Sequence, residues 1–234
     1  MKTLIESAAA AKAASTVVAQ LTTEQKNAAL LAMADALESG MADILEANRA
    51  DMERERANGM SESMLDRLML NEARVRDMAV GLRQVAELPD PIGEVMADWK
   101  RPNGLEIRKV RVPMGVIGII YEARPNVTVD AASLAFKAGS AILLRGSGSA
   151  YESNAAEVRV MRAALESVGV TPDAVCLVEE RGHDVVDKML TLREYIDLII
   201  PRGSARLINN AVNKATVPIL QTGTGNCHVY VDES

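Results

Sequence analysis

Hydrophobic spacing along the chain changes character twice. From the start to about Leu88, apolar residues recur at helical intervals. After Thr22 they set Leu30, Met33, Ala34 and Leu37 on one face, and Thr22 with Gln25 three residues on forms a capping box. Gly40 ends that helix in the manner of a C-cap glycine. A second helix carries Met41, Ile44, Leu45 and Asn48 into the charged run DMERERANG, which reads as a solvated face. A third runs to Leu88 and stops at Pro89-Asp90-Pro91, because proline lacks a donor and clashes with the preceding turn. The opening stretch MKTLIESAAAAKAAS reads as an amphipathic helix; Glu6 and the lack of a compact leucine-rich core argue against a signal peptide.

The first change comes at Asp98 to Val112. Leu105, Ile107, Lys109 and Arg111 alternate with Glu106, Arg108, Val110 and Val112, and Asn103-Gly104 predicts a two-residue hairpin turn. So polar a hairpin projects from the body. Its Arg- and Lys-rich edge resists random pairing but can accept a designated strand.

The second change comes at Val116. Continuous aliphatic runs at 116–121, 141–144, 174–178, 197–200, 217–220 and 228–231 alternate with helical segments near 128–138, 151–168, 183–192 and 203–214. Such runs are strands buried on both faces, and the alternation is βαβ. The fold class is α/β: a parallel sheet with flanking helices, a helical N-terminal layer (1–97), a projecting β-hairpin (98–112) and a Rossmann-like core (113–234).

Composition narrows the chemistry. Hydrophobic residues are 48% and charged residues 25%, which is globular usage. Aromatics at 3% and a net charge of −6 leave little for stacking on bases or tracking a phosphate backbone, so nucleic acid is not an expected partner. The longest apolar run, around Met114 to Tyr121, is short of the roughly 20 residues that span a bilayer, so no membrane association is expected. Cys176 and Cys227 stand outside any CxxC pattern, and two histidines form no ligand cluster. Neither a disulfide framework nor a metal site is expected, which suits a reducing cytoplasm.

In an open α/β sheet, ligands bind beyond the carboxyl ends of the strands. After 141–144 comes Arg145-Gly146-Ser147-Gly148-Ser149. Two glycines admit a close ligand and Arg145 offers a fork of donors, although a flexible turn with a surface arginine would read the same. After 197–200 comes Gly203-Ser204 at a helix start, either an anion site or a plain serine N-cap. After 217–220 comes Gln221-Thr222-Gly223-Thr224-Gly225-Asn226-Cys227-His228. Neighbours on a strand point to opposite faces, so His228 is poorly set to activate Cys227, and Cys176 sits inside an apolar strand. In the loop Tyr121-Glu122-Ala123-Arg124-Pro125-Asn126-Val127-Thr128, Asn126 or Thr128 caps the next helix, or Asn126 donates to an oxyanion.

The strings LPDPIGEV, KRPNGLEIRKVRVPMGVIGIIYEARPNVTVDAASLAFKAGSAILLRGS and TGTGNCHVYVDES resemble the gamma-glutamyl phosphate reductase family, or glutamate-5-semialdehyde dehydrogenases, of the aldehyde dehydrogenase superfamily. The resemblance covers essentially the whole chain. It implies an aldehyde-dehydrogenase-like cofactor-binding domain and NADPH-dependent reduction of L-glutamate 5-phosphate to the semialdehyde and phosphate, the second step of proline biosynthesis. It also implies a cytoplasmic homo-oligomer, and association with glutamate 5-kinase.

By position, Arg145 matches the superfamily's lysine at the adenine ribose, with Gly146, Ser147 and Gly148 after it. The acidic residue of NAD-preferring relatives would fall at Gly148, so the resemblance implies NADP. Ser204, after Gly203, matches the serine near the pyrophosphate, and Gly223 and Gly225 fall in the turn beside the nicotinamide. Asn126 matches the oxyanion asparagine once a helical turn is gapped. Gln221 stands where the wider superfamily has a water-activating glutamate, and an amide cannot act as a general base. Family members are longer, and their nucleophilic cysteine follows the VDES string. The expectation is therefore a cofactor-binding part without the catalytic domain, itself inactive; the rival is a stand-alone nucleotide-binding or oligomerisation module.

Overall fold

The computed structural model describes residues 2–180, 182–223 and 229–232. Four strands, β3 (Val116–Tyr121), β4 (Ala141–Arg145), β5 (Val175–Leu177) and β6 (Leu198–Arg202), form one parallel sheet in the order β5-β4-β3-β6. The chain steps outward from β3 through α6 (Asn126–Lys137) to β4, and through α7 (Tyr151–Ser167) to β5. It then crosses back by α8 (His183–Met189) to lay β6 on the far side of β3, before α9 (Ala205–Lys214). The order therefore reverses between β3 and β6, and that crevice is where such sheets take ligands.

Every residue of β3 is buried, as a strand covered on both faces requires. Its parity sorts the core. Ile117, Ile119 and Tyr121 join Ile142 and Leu144 on one face, while Val116 and Ile120 join Leu143 and Cys176 on the other. The helices before the sheet are α1 (Leu4–Val18), α2 (Thr23–Ser39), α3 (Met41–Ala57), α4 (Glu62–Leu68) and α5 (Glu72–Glu87). They do not make one layer. Alanines 8, 11 and 14 bring α1 against the face that also receives α8 and α9, whereas α2, α3 and α5 pack with α6 and α7 on the other.

Several local expectations change. The capping box at Thr22 and Gln25 is present, and a second forms at Thr3 and Glu6. Gly40 has φ −88°, so it is no left-handed cap; a Cβ there would lie 2.9 Å from Val160 Cγ2, and helix packing is what demands glycine. The last N-terminal helix is two helices, α4 and α5. The charged run is not simply solvated, because Asp51 is fully buried.

The hairpin of β1 (Val95–Lys100) and β2 (Glu106–Val110) begins three residues earlier than its polarity suggests. Its turn is not the two-residue Asn-Gly form. Gly104 N–H donates to Arg101 O at 2.9 Å, Arg101 N–H to Leu105 O at 2.8 Å, and only Gly104, at φ +88°, is left-handed. Pro102 presets the first turn position, and Gly104 takes the bulge. All but Ile107 of the two strands are exposed, so the hairpin does stand off the body.

The run at 217–220 makes only a single bridge, Ile199 to Ile219, beside β6. Pro218 has no N–H to extend a ladder, although its carbonyl accepts from Ile199 at 2.8 Å. Residues 229–231 form no strand and are more than four-fifths exposed.

Candidate functional site

Two hollows open at the carboxyl rim of the sheet and share Tyr121, Glu122 and Ser204 in their linings. The larger, of about 740 Å³, gathers Arg145, Gly146, Ser147 and Gly148 from the end of β4 with Ser204, Arg206 and Asn210 from α9. The smaller, of about 410 Å³, takes Gly203, Ser204, Thr222 and Gly223 with Arg67, Arg124 and Arg202. The fold thus brings Arg145, Gly146, Ser147, Gly148, Gly203, Ser204 and Gly223 to one rim. Gly225, Cys227 and His228 lie outside the described residues.

The β4 loop is held from behind. Gly146 is buried, and a Cβ on it would run into Asn154 Nδ2 and come within 3.0 Å of the Tyr121 ring. Those side chains belong to a buried network: Tyr121 shares a 2.6 Å bond with the Thr128 hydroxyl, which donates to Asn154 Oδ1 at 3.0 Å. Beside it Glu157 is fully buried with neither carboxyl oxygen bonded to a described residue. Burial, with the like charges of Asp130 and Asp51, lifts its carboxyl well above the usual range.

Asp51 caps α7 from another helix. Its carboxylate accepts from Ser153 N at 2.8 Å, Ser153 Oγ at 2.7 Å and Glu152 N at 3.3 Å, bonds which Ala150 at the cap position cannot provide. Arg54 donates to Asp51 at 2.6 Å and to the carbonyls of Gly148 and Ser149 at 3.1 Å. The run DMERERANG therefore braces the glycine loop, a role its charge pattern concealed. No local signal could have found it, since the partners lie 94–102 residues away.

Arg145 donates to Gly146 O and, at 3.1 Å, to Gly182 O. Its Nε is buried without a partner among the described residues, and burial lowers its guanidinium from the usual value. Ser147 Oγ accepts from Ser149 N at 3.2 Å, and nothing lies within 4 Å of a Cβ built on Gly148, so there is open space at that position.

The β6 side is looser. Gly203 and Ser204 are exposed, Ser204 Oγ caps α9 through Leu207 N at 3.4 Å, and Thr222 Oγ1 donates to Pro201 O at 2.9 Å. Nothing crowds a Cβ on Gly223, and Gln221 is exposed beside it.

Asn126 stands apart. It lies with Arg124 and Asp130 in a third hollow of about 400 Å³, donating to Asp130 Oδ2 at 3.1 Å. Neither it nor Thr128 caps α6: Pro125 at φ −55° and ψ −40° already has helical angles, so both residues fall inside the first turn. Cys176 is buried, and burial pushes its thiol up to about 11, which leaves almost no thiolate for attack at neutral pH. Among the described residues there is no cluster able to hold a metal ion and no helix long and apolar enough to cross a membrane.

A parallel sheet with glycine loops at its switch point defines a nucleotide-binding class of α/β protein. Residues 2–233 match the aldehyde dehydrogenase family, and the chain belongs to that family. It is 51% identical over 234 residues to a gamma-glutamyl phosphate reductase of Anoxybacillus flavithermus, covering 100% of this chain and 57% of that protein. It is 54% identical to one from Clostridium novyi, covering 99% and 55%. The crystal structure of gamma-glutamyl phosphate reductase from Thermotoga maritima superposes with a TM-score of 0.94 at 46% identity, covering 100% of this chain and 56% of that one. The chain thus spans somewhat over half the length of these relatives.

Proposed function

We propose that this chain is the nicotinamide-cofactor-binding part of a gamma-glutamyl phosphate reductase, an enzyme that reduces L-glutamate 5-phosphate to L-glutamate 5-semialdehyde with release of phosphate. The observation that carries the cofactor reading is the orphaned, buried Nε of Arg145 beside a Gly146 that tolerates no side chain. A buried donor without an acceptor is costly unless a ligand completes it. Arg145 would meet the adenosine ribose and its 2′-phosphate, the N–H groups at the start of α9 after Ser204 the pyrophosphate, and Gly223 the nicotinamide side. The bound cofactor would supply the hydride. The absence of an acid at position 148 favours NADPH over NADH, because no carboxylate stands there to repel a 2′-phosphate. Asn126 is the candidate oxyanion donor; swinging from Asp130 to a substrate is the movement that role requires.

The same reading carries a cytoplasmic homo-oligomer joined through the exposed hairpin, and delivery of the acyl phosphate by an associated glutamate 5-kinase. Titration with NADPH and NADH by fluorescence tests the cofactor. NADPH should bind at least about tenfold more tightly, and Arg145→Ala should abolish that preference. Preference for NADH, or binding of neither, would sink the assignment.

A further inference from the structure

Three arginines share the smaller hollow at the β3–β6 switch point. Arg67 comes from the end of α4, Arg124 from the loop after β3 and Arg202 from the last position of β6. Among the described residues none of them makes a side-chain hydrogen bond or salt bridge, although seven other arginines of this acidic chain do pair with carboxylates. The one acid in the lining, Glu122, lies against Gly203, where a Cβ would come 2.6 Å from its Cδ. Three arginines from three separate elements thus line one cavity that holds a single carboxylate, and Arg67 and Arg124 also border the neighbouring hollow with Asp66, Asp77 and Asp130.

Arg202 reaches Asp130 only through space and, among the described residues, no carboxylate is bonded to any of the three, so like charges stand incompletely compensated, and each fork matches two oxygens of a tetrahedral oxyanion. Val127, Ile208 and the two glycines line the rest of the hollow together with Tyr121, Ser204 and Thr222. The cavity takes in the Gly203–Ser204 turn and adjoins the larger hollow through Tyr121, Glu122 and Ser204, but Arg145 is not part of its lining.

We propose that Arg67, Arg124 and Arg202 form a phosphate site for the acyl phosphate substrate and for the inorganic phosphate it yields. This rests on the proposed reductase reading. Reduction of an acyl phosphate by NADPH and a proton gives aldehyde, NADP and phosphate; the carbon–oxygen bond to phosphate breaks, and the leaving oxygen keeps the electron pair. Three arginines hold that dianion better as it leaves than before, because charge on the bridging oxygen grows as the bond opens.

The test uses inorganic phosphate as probe, titrated into the chain by ³¹P NMR at constant ionic strength set with chloride, after saturation with NADP to fill the cleft's own phosphate sites. One saturable phosphate should bind, and Arg67→Ala, Arg124→Ala and Arg202→Ala should each weaken it about tenfold or more. The corresponding lysine variants should lose less, since charge survives without the fork. Circular dichroism checks that each variant is folded. If NADP binds but phosphate does not, or if the alanine variants leave its affinity unchanged, the arginine site is wrong while the cofactor reading stands. If NADP itself fails to bind, that reading falls instead. The phosphate titration of the unloaded chain, with Arg145→Ala as the control for the other end of the cleft, then decides the arginines alone.

Discussion

The two loops that frame the cleft are built on opposite plans. At β4, the turn Gly146–Ser149 is backed by buried polar groups: Asn154 and Tyr121 press on Gly146, Arg54 holds the carbonyls of Gly148 and Ser149, and Asp51 caps the following helix. At β6, the turn Gly203–Ser204 is exposed and is braced by its own serine cap, with Thr222 bonded to Pro201 next to it. Preorganisation is thus concentrated where a ribose and its phosphate would be clamped. On the proposed reading, the other side stays adaptable, where a substrate would come and go. Long-range capping makes the difference: a cap supplied from another helix ties a loop to the core, whereas a local cap steadies only its own first turn.

Deleting the two caps gives the widest contrast. Asp51→Ala strips α7 of its cap and leaves Arg54 and Ser153 without their shared partner, and should cost roughly 3–5 kcal/mol in urea unfolding. Ser204→Ala should cost about 0.5–1 kcal/mol. Equal losses would show that the β4 loop is not the more tightly braced. Within the β4 loop, Gly146→Ala should destabilise by roughly 1–3 kcal/mol because a Cβ meets Asn154 and Tyr121. Gly148→Ala, with open space around it, should stay within about 0.5 kcal/mol.

A last effect is a slope and not a single loss. Burial holds the Glu157 carboxyl well above its ordinary value, 4.5, to which it returns in the unfolded chain. Its folded value is the higher of the two, so its contribution is fully present below 4.5 and is lost as pH rises towards the folded value, by roughly 1.4 kcal/mol per unit. Glu157→Gln should flatten that part of the pH dependence of stability; an unchanged slope would mean that the acid is already charged in the fold.

Much of this architecture was legible in the chain. The fully apolar run at 116–121 coincides with β3, helical periodicity and Pro89 bounded the helices, and the loops after strands marked the rim where Arg145, Gly146 and Ser204 meet. Other readings failed for identifiable reasons. The run at 217–220 has the right hydrophobicity but a proline where a ladder needs a donor. Asn126 has the right chemistry for a cap, but Pro125 had already begun the helix. Arg67 gave no signal at all, because its meeting with Arg124 and Arg202 depends on how α4 packs.

Local periodicity, glycine, proline and the βαβ alternation determined the strands, the helices and the end of the sheet where ligands bind, since these follow from backbone sterics and from the sidedness of short elements. Tertiary structure alone decided that Asp51 would be buried beneath α7, that Arg54 would grip a loop far along the chain, and that three arginines would share one hollow. Each depends on contacts between residues distant in sequence, and a spacing of a few residues carries no record of which distant surface will cover it.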